Sequence, residues 1–152
     1  MKKFLSLFLL LTICISCSKD SPETVDFTVQ NEKDITEFIA NNHLTAQRSD
    51  SGLYYVINNP GTGAQPTATS NVTVAYKGTF INGRIFDQST NAGITIGLNQ
   101  VIKGWTEGIP YFKVGGSGLL LIPAHLGYGS YDYNGIPGGS VLIFEINLIA
   151  VN

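Results

Sequence analysis

The spacing of hydrophobic and polar positions changes several times along the chain, and each change marks an element. Phe4 to Ile15 is an apolar run broken by Ser6 and Thr12, too short to span a bilayer as a helix. Ser18 to Glu32 is polar, contains a proline and shows no period, which predicts a flexible tether. From Asp34 to Asn41, Ile35, Phe38 and Ile39 fall at helical spacing, with Asp34 placed to cap the helix and Asn41-Asn42 to stop it. A helix this short is unstable by itself.

Beyond Gly52 the pattern becomes that of strands. Leu53 to Ile57 is rich in strand-favouring residues, Asn59-Pro60-Gly61-Thr62-Gly63 is a turn, and Val72 to Tyr76 alternates as a half-buried strand. Asn82-Gly83, between Thr79-Phe80-Ile81 and Arg84-Ile85-Phe86, is the strongest short hairpin signal in the chain. Ile94 to Ile96, Leu119 to Ile122 and Val141 to Ala150 complete a set of roughly five strands, which predicts an antiparallel sheet. One segment differs: Ile102, Trp105, Ile109 and Phe112 recur on one face of a helix. Gly104, Gly108 and Pro110 weaken that helix, so it must depend on packing its apolar face against the sheet.

With 152 residues, the chain has room for one core beside its leader. Met1-Lys2-Lys3 ahead of the apolar run is the layout of an export signal. The run ends Cys14-Ile15-Ser16-Cys17 and turns polar at Ser18, which resembles a bacterial lipoprotein cleavage box with Cys17 as the acylated residue and Cys14 where Leu is usual. No cysteine follows Cys17, so the exported part forms no internal disulfide. Removing the first seventeen residues takes away two of the 9 basic residues and none of the 11 acidic ones, so the net charge moves from −2 to −4. That balance does not suit a nucleic-acid binder. His43 and His125 are the only histidines, and no spacing predicts a metal site or a cofactor. Gly115-Gly116-Ser117-Gly118 precedes a strand and lacks a following Lys-Ser or Lys-Thr, so it reads as a hairpin turn and not as a phosphate loop.

Five strings, in order, resemble FKBP-type peptidyl-prolyl cis/trans isomerases: Val74-Ala75-Tyr76-Lys77-Gly78, Asn82 to Ser89, Gln100 to Gly108, Ile122 to Gly129, and Leu142-Ile143-Phe144-Glu145. The resemblance covers Gly52 to Val151. It implies an α+β fold, a strongly bent antiparallel half-barrel of about five strands wrapped around one short α-helix. It also implies a pocket of Tyr76, Phe86, Asp87, Val101, Ile102, Trp105, Tyr128, Ile136 and Phe144, with Trp105 as its floor. Taken singly, the aromatic rings read as core, Asp87 as a turn residue and Tyr128 as a loop ring. Their order within the five strings joins them into a site.

The activity implied is isomerisation of X–Pro bonds in exported proteins, with Asp87, Tyr128 and Trp105 in catalytic roles and the other six binding substrate. A non-catalytic chaperone that holds Pro-containing chains in the same pocket is the other reading; the presence of Asp87, Trp105 and Tyr128 favours catalysis. The resemblance also implies a macrolide ligand such as rapamycin. Between Asp87 and Ile94 the chain is shorter than small family members, and a rim Phe is here Ala92 or Ile94. The organisation expected is a lipoprotein signal at 1–17, a tether at 18–33, a short helical extension at 34–51 and the isomerase domain at 52–152, anchored in the bacterial cell envelope.

If Cys17 carries the anchor, Cys17→Ala releases the protein from membranes, because a multiply acylated N-terminus binds stably and a bare tether does not. Fractionation of cells checks this. A variant that stays with the membranes at normal processed size overturns the lipoprotein reading.

Overall fold

The computed structural model describes residues 25–152; the expected export signal and Cys17 lie outside the described residues. The elements in chain order are helix α1 (Thr28–Asn41), strands β1 (Gln47–Arg48), β2 (Tyr54–Asn59), β3 (Asn71–Phe80), β4 (Ile85–Gln88) and β5 (Ile94–Gly97), helix α2 (Lys103–Gly108), and strands β6 (Ser117–Ile122) and β7 (Leu142–Val151). All strand pairs are antiparallel, in the order β1-β2-β6-β7-β3-β4 with β5 also beside β3. The fold is α+β, and its sheet is open: β1 and β4 stand at opposite ends.

Seven strands form where roughly five were expected. The two-residue β1 is too short to show a period, and β4 is the second arm of the hairpin expected at Arg84-Ile85-Phe86. β3 carries β4 on the C-terminal half of its free edge and β5 on the N-terminal half. Register shifts in β2 and β3 mark bulges, which bend and twist strands. The turn at Asn82-Gly83 is longer than a two-residue loop: β3 ends at Phe80 and β4 begins at Ile85. Only Gly83 has positive φ, +83°, and the Asn82 side chain accepts a hydrogen bond from the Arg84 N–H at 3.0 Å.

Alternation along the central strands serves two cores. Leu120, Ile122, Leu142, Phe144, Ile146 and Leu148 face α2, together with Trp105, Ile109 and Phe112. Leu121 and Ile143, one residue out of phase, face α1 with Tyr54, Val56 and Ile35. The glycines expected to weaken α2 are its contact surface. A Cβ on Gly104 would lie 2.6 Å from Ile122 Cγ2, and one on Gly108 2.6 Å from Leu120 Cδ2. Their absent side chains let the helix backbone settle onto β6.

The N-terminal helix corrects two expectations. It starts at Thr28, not Asp34, so the stretch assigned to a tether at 18–33 is helical over its last six residues. Asp34 does not cap it. The Asp26 carboxylate accepts from the Thr28 N–H at 2.8 Å, and the Thr28 side chain first and this backbone bond second hold the Asp26 carboxyl below its ordinary value, while Asp34 accepts from the Gln30 amide within the helix. The early turns were hidden because Thr28 to Lys33 is polar apart from an exposed Val29; burial begins with Asn31 and Ile35. Glu32 then joins the helix to the sheet, accepting from the Tyr54 hydroxyl at 2.5 Å and from Arg48. The 34–51 extension is therefore packed on the same sheet as the domain it precedes.

Gly104→Ala should destabilise the protein even though alanine is the better helix former by about 1 kcal/mol. The new methyl meets a fully buried Ile122, and overpacking costs about 1–3 kcal/mol. Thermal unfolding checks the sign: a lowered Tm is expected, and a raised Tm shows that the helix does not rest on β6 through Gly104.

Candidate active site

The site is assembled from β3, β4, β7 and the start of α2, with further residues from β5 and from the connection between β6 and β7. β3 supplies Tyr76, β4 supplies Asp87, β7 supplies Phe144, and the segment entering α2 supplies Val101, Ile102 and Trp105. Gly78 pairs with Asp87 on one side and with Phe144 on the other, so register alone brings the carboxylate and the ring to neighbouring rungs. Gly78 must lack a side chain there. A Cβ would stand 2.7 Å from Phe86 Cζ and 2.9 Å from Phe144 Cε1.

These residues enclose a cavity of about 530 Å³ lined by Tyr76, Asp87, Val101, Ile102, Trp105, Tyr128 and Phe144 among others. It lies in the size range of ordinary ligand sites. Seven of the nine expected pocket residues are thus together. Phe86 and Ile136 instead line an adjoining cavity of about 330 Å³, which shares Asp87, Tyr128, Tyr133 and Asn134 with the first. Phe86 reaches the main cavity's wall from behind, its ring 5.4 Å from that of Phe144 in an edge-to-face contact.

The aromatic packing is a chain of edge contacts. Trp105 meets Phe144 at 5.2 Å and 80°, and Tyr76 at 5.0 Å and 85°; such geometries are favoured by the ring quadrupoles. Trp105 is only 4% exposed, and its buried indole N–H has no partner among the described residues. The Tyr76 hydroxyl donates to Asp87 Oδ2 at 2.6 Å. Burial first, and the Asp87 carboxylate second, push the Tyr76 phenol far above its ordinary value, so it remains a donor throughout the neutral range. Burial and Asp87 also raise Tyr128. The carboxylate is thereby held in one orientation at the mouth of an apolar cavity.

Among the donors on residues that line this space, the Tyr128 hydroxyl and the Ile102 backbone N–H have no protein partner among the described residues. Ile102 precedes the first turn of α2, and its own carbonyl is engaged by the Trp105 and Thr106 N–H groups.

The cavity also contains Ile94, Ile96, Gln100, Tyr133 and Asn134. Of the two candidates for the missing rim ring, it is Ile94 that lines the wall. Ile94 and Ile96 alternate on one face of β5, a signal visible in the sequence. Tyr133 stacks on Tyr128 at 5.1 Å and 13°, and it is held by a tight hairpin: Tyr133 and Ile136 exchange both backbone hydrogen bonds. Asn134 (φ +45°) and Gly135 (φ +83°) form the two-residue turn that needs positive φ twice. That Asn-Gly pair is a turn signal visible in the sequence. Gln100 opens one of the five ordered strings, but its residue type does not mark it as a pocket residue.

The family model described as FKBP-type peptidyl-prolyl cis-trans isomerase matches residues 63–149. The chain belongs to the FKBP family. It is 40% identical over 127 residues to the FKBP-type peptidyl-prolyl cis-trans isomerase FkpA of Aeromonas hydrophila, covering 81% of this chain and 47% of that protein. It is 43% identical over 104 residues to the outer membrane protein MIP of Legionella longbeachae, covering 66% of this chain and 45% of the relative. The chain thus spans about half the length of the curated relatives it matches. Among solved structures, FkpA from Escherichia coli superposes with a TM-score of 0.74 at 36% identity, covering 82% of this chain and 61% of the other. A peptidyl-prolyl cis-trans isomerase from Pseudomonas syringae gives 0.71 at 33%, covering 85% and 98%. The open sheet and α2 described above are the FKBP fold.

The raised Tyr76 value makes a prediction for this FKBP. A tyrosine whose folded value is raised contributes stability that is complete below the unfolded value, 10.0, and is lost as pH rises through the higher folded value. Unfolding free energy, measured by urea titration, is expected to be level up to about pH 9 and to fall above pH 10. Tyr76→Phe should make that fall smaller. An equal fall in both proteins removes Tyr76 as its source.

Proposed function

We propose that this chain is a peptidyl-prolyl cis/trans isomerase that acts on X–Pro bonds of exported proteins at the bacterial cell envelope. The observation that carries this reading is the apolar, aromatic-walled cavity of about 530 Å³ with a single carboxylate, Asp87, oriented at its edge by the Tyr76 hydroxyl. Family membership and the FkpA relatives support the same activity.

Rotation about a peptide bond breaks amide resonance over a barrier of about 18–20 kcal/mol. No covalent step is needed. Unaided X–Pro isomerisation takes roughly tens to hundreds of seconds, and lowering the barrier by about 5 kcal/mol brings it near a hundredth of a second. The planar amide has a large dipole that water stabilises, and the twisted amide has lost it. Transfer into walls made by Trp105, Phe144, Val101 and Ile102 therefore penalises the ground state more. The Ile102 N–H binds a substrate carbonyl and sets the register of the peptide, while the Tyr128 hydroxyl donates to another carbonyl. Asp87 shapes the field at the rotating carbonyl and transfers no proton, since none moves. The prolyl ring stacks over Trp105. Phe86 and Ile136, in the adjoining cavity, receive neighbouring substrate residues.

Cys17 acylation is the anchor in this reading, and the macrolide class is the expected inhibitor. A holding chaperone on the same fold is distinguished by kinetics. In the full chain, Asp87→Leu should lower kcat by about tenfold or more, equivalent to roughly 1.4 kcal/mol of barrier, with Pro-peptide affinity little changed. Tyr128→Phe should cost about threefold to tenfold, as loss of one hydrogen bond implies. A proline-peptide isomerisation assay with parallel binding measurements checks both. A wild type that binds Pro peptides without accelerating them is a chaperone, and an Asp87→Leu variant that equals an active wild type in kcat removes Asp87 from the mechanism.

A further inference from the structure

Asn31 is the one buried polar side chain among the described residues, at 2% exposure. Docking α1 on the sheet does not need it, because Ile35 and the apolar residues around it fill that interface. Both ends of its amide are used. Its Oδ1 accepts from the Ala124 N–H at 2.7 Å, and its Nδ2 donates to the Gly139 carbonyl at 2.9 Å. These two residues are not neighbours on the sheet. They are the two ends of the connection between β6 and β7, the loop that carries Tyr128, Tyr133, Asn134 and Ile136 into the two cavities.

The same neck is gripped at two more points by the residues just before α1. The Phe27 ring covers Gly139 so closely that a Cβ there would stand 2.4 Å from it, and the Ser130 hydroxyl donates to the Val25 carbonyl at 2.9 Å. Within the loop, the Gly139 N–H donates to the Gly129 carbonyl and the Gly129 N–H to the Ala124 carbonyl. Asn31 therefore closes a ring of bonds through Ala124, Gly129 and Gly139, and Tyr128 is the residue immediately before Gly129. Beyond the neck the loop is held by its own turn, by Ile136 packed in the main core, by the stacking of Tyr133 on Tyr128 and by Asp132 accepting from the Gly138 N–H. The neck is where the loop is tied to the N-terminal segment.

We propose that residues 25–31 are a clamp on the substrate loop, with Asn31 as a positioning residue that holds Tyr128 and Tyr133 over the cavity and so sets turnover and the preference for the residue before proline. The kinetic part rests on the isomerase reading above; the mechanical part does not. An exported chain of this family would then carry, in the stretch leading into its domain, a part of its own site.

The test uses the full chain with Asn31→Ala and Ser130→Ala; the second alters a half-buried site and serves if the first does not fold. Amide hydrogen exchange over 124–139 should quicken by about tenfold in Asn31→Ala, as loss of one buried hydrogen-bonding partner implies, with β3 and β7 unchanged. In Ser130→Ala the rise should be about threefold. The kcat/KM values should fall by similar factors, and the spread of kcat/KM across peptides with different residues before proline should narrow. A merely structural Asn31 would lower the melting temperature, leave the kinetic constants of the folded protein alone and raise exchange evenly across the sheet; that pattern overturns the proposal, as does loop exchange equal to wild type. If the wild type proves to lack isomerase activity, the isomerase reading fails, and loop exchange with Pro-peptide affinity still decides the clamp.

Discussion

Everything at the candidate site depends on how closely α2 approaches β6. Six residues of helix do not hold together by themselves, and two of them are glycines. The same glycines let the helix backbone rest on Ile122 and Leu120, and the burial of Trp105, Ile109 and Phe112 that results supplies the stability that helix propensity lacks. A longer helix of better formers would stand further from the sheet, and Trp105 would no longer reach the rings of Tyr76 and Phe144. Poor local propensity is thus the condition for the tertiary contact that creates the cavity floor.

Gly78 plays the matching part on the strand side. A side chain there would push Phe86 and Phe144 apart, yet those rings have to meet for the wall to be continuous from the main cavity to its neighbour. Around this tight aromatic centre Tyr76 holds Asp87, and the start of α2 engages the Ile102 carbonyl while its N–H has no partner among the described residues. A cavity walled by apolar and aromatic side chains, with one oriented carboxylate and a few uncharged polar groups, is suited to lowering a conformational barrier. It has no arrangement for nucleophilic attack, and isomerisation asks for none.

The two sides of the cavity are stabilised differently. The sheet and α2 form a wall held by fully buried side chains, whereas the β6–β7 loop carries exposed rings, with Tyr128 at 37%, and is tied at its neck by the N-terminal segment. Elements of low local stability are the usual source of moving or adaptable parts in a binding site. Here the N-terminal segment ties the loop at its base, while Ile136 and the Tyr128–Tyr133 stack seat its outer part against the cavity.

Strand periodicity, the apolar stripe of α2 and the ordered motifs were enough to place most of the sheet, the helix and seven of the residues that line the main cavity. These are repeats of one residue's burial, and burial is written locally as hydrophobicity. The two Asn-Gly pairs show the limit. Both are turn signals, but only Asn134-Gly135 adopts positive φ at both positions, and Asn82-Gly83 settles into a longer turn because the bulge in β3 alters the strand register beside it. The early start of α1 was equally illegible, since its first turns are polar and are held by partners such as Gly139 and Ala124, about a hundred residues away. Sequence alone determined which residues are buried and which chemical groups are available to the site. Tertiary structure alone decided which of them meet, because contacts such as Gly78 with two phenylalanines, or Asn31 with both ends of one loop, join positions that have no shared period along the chain.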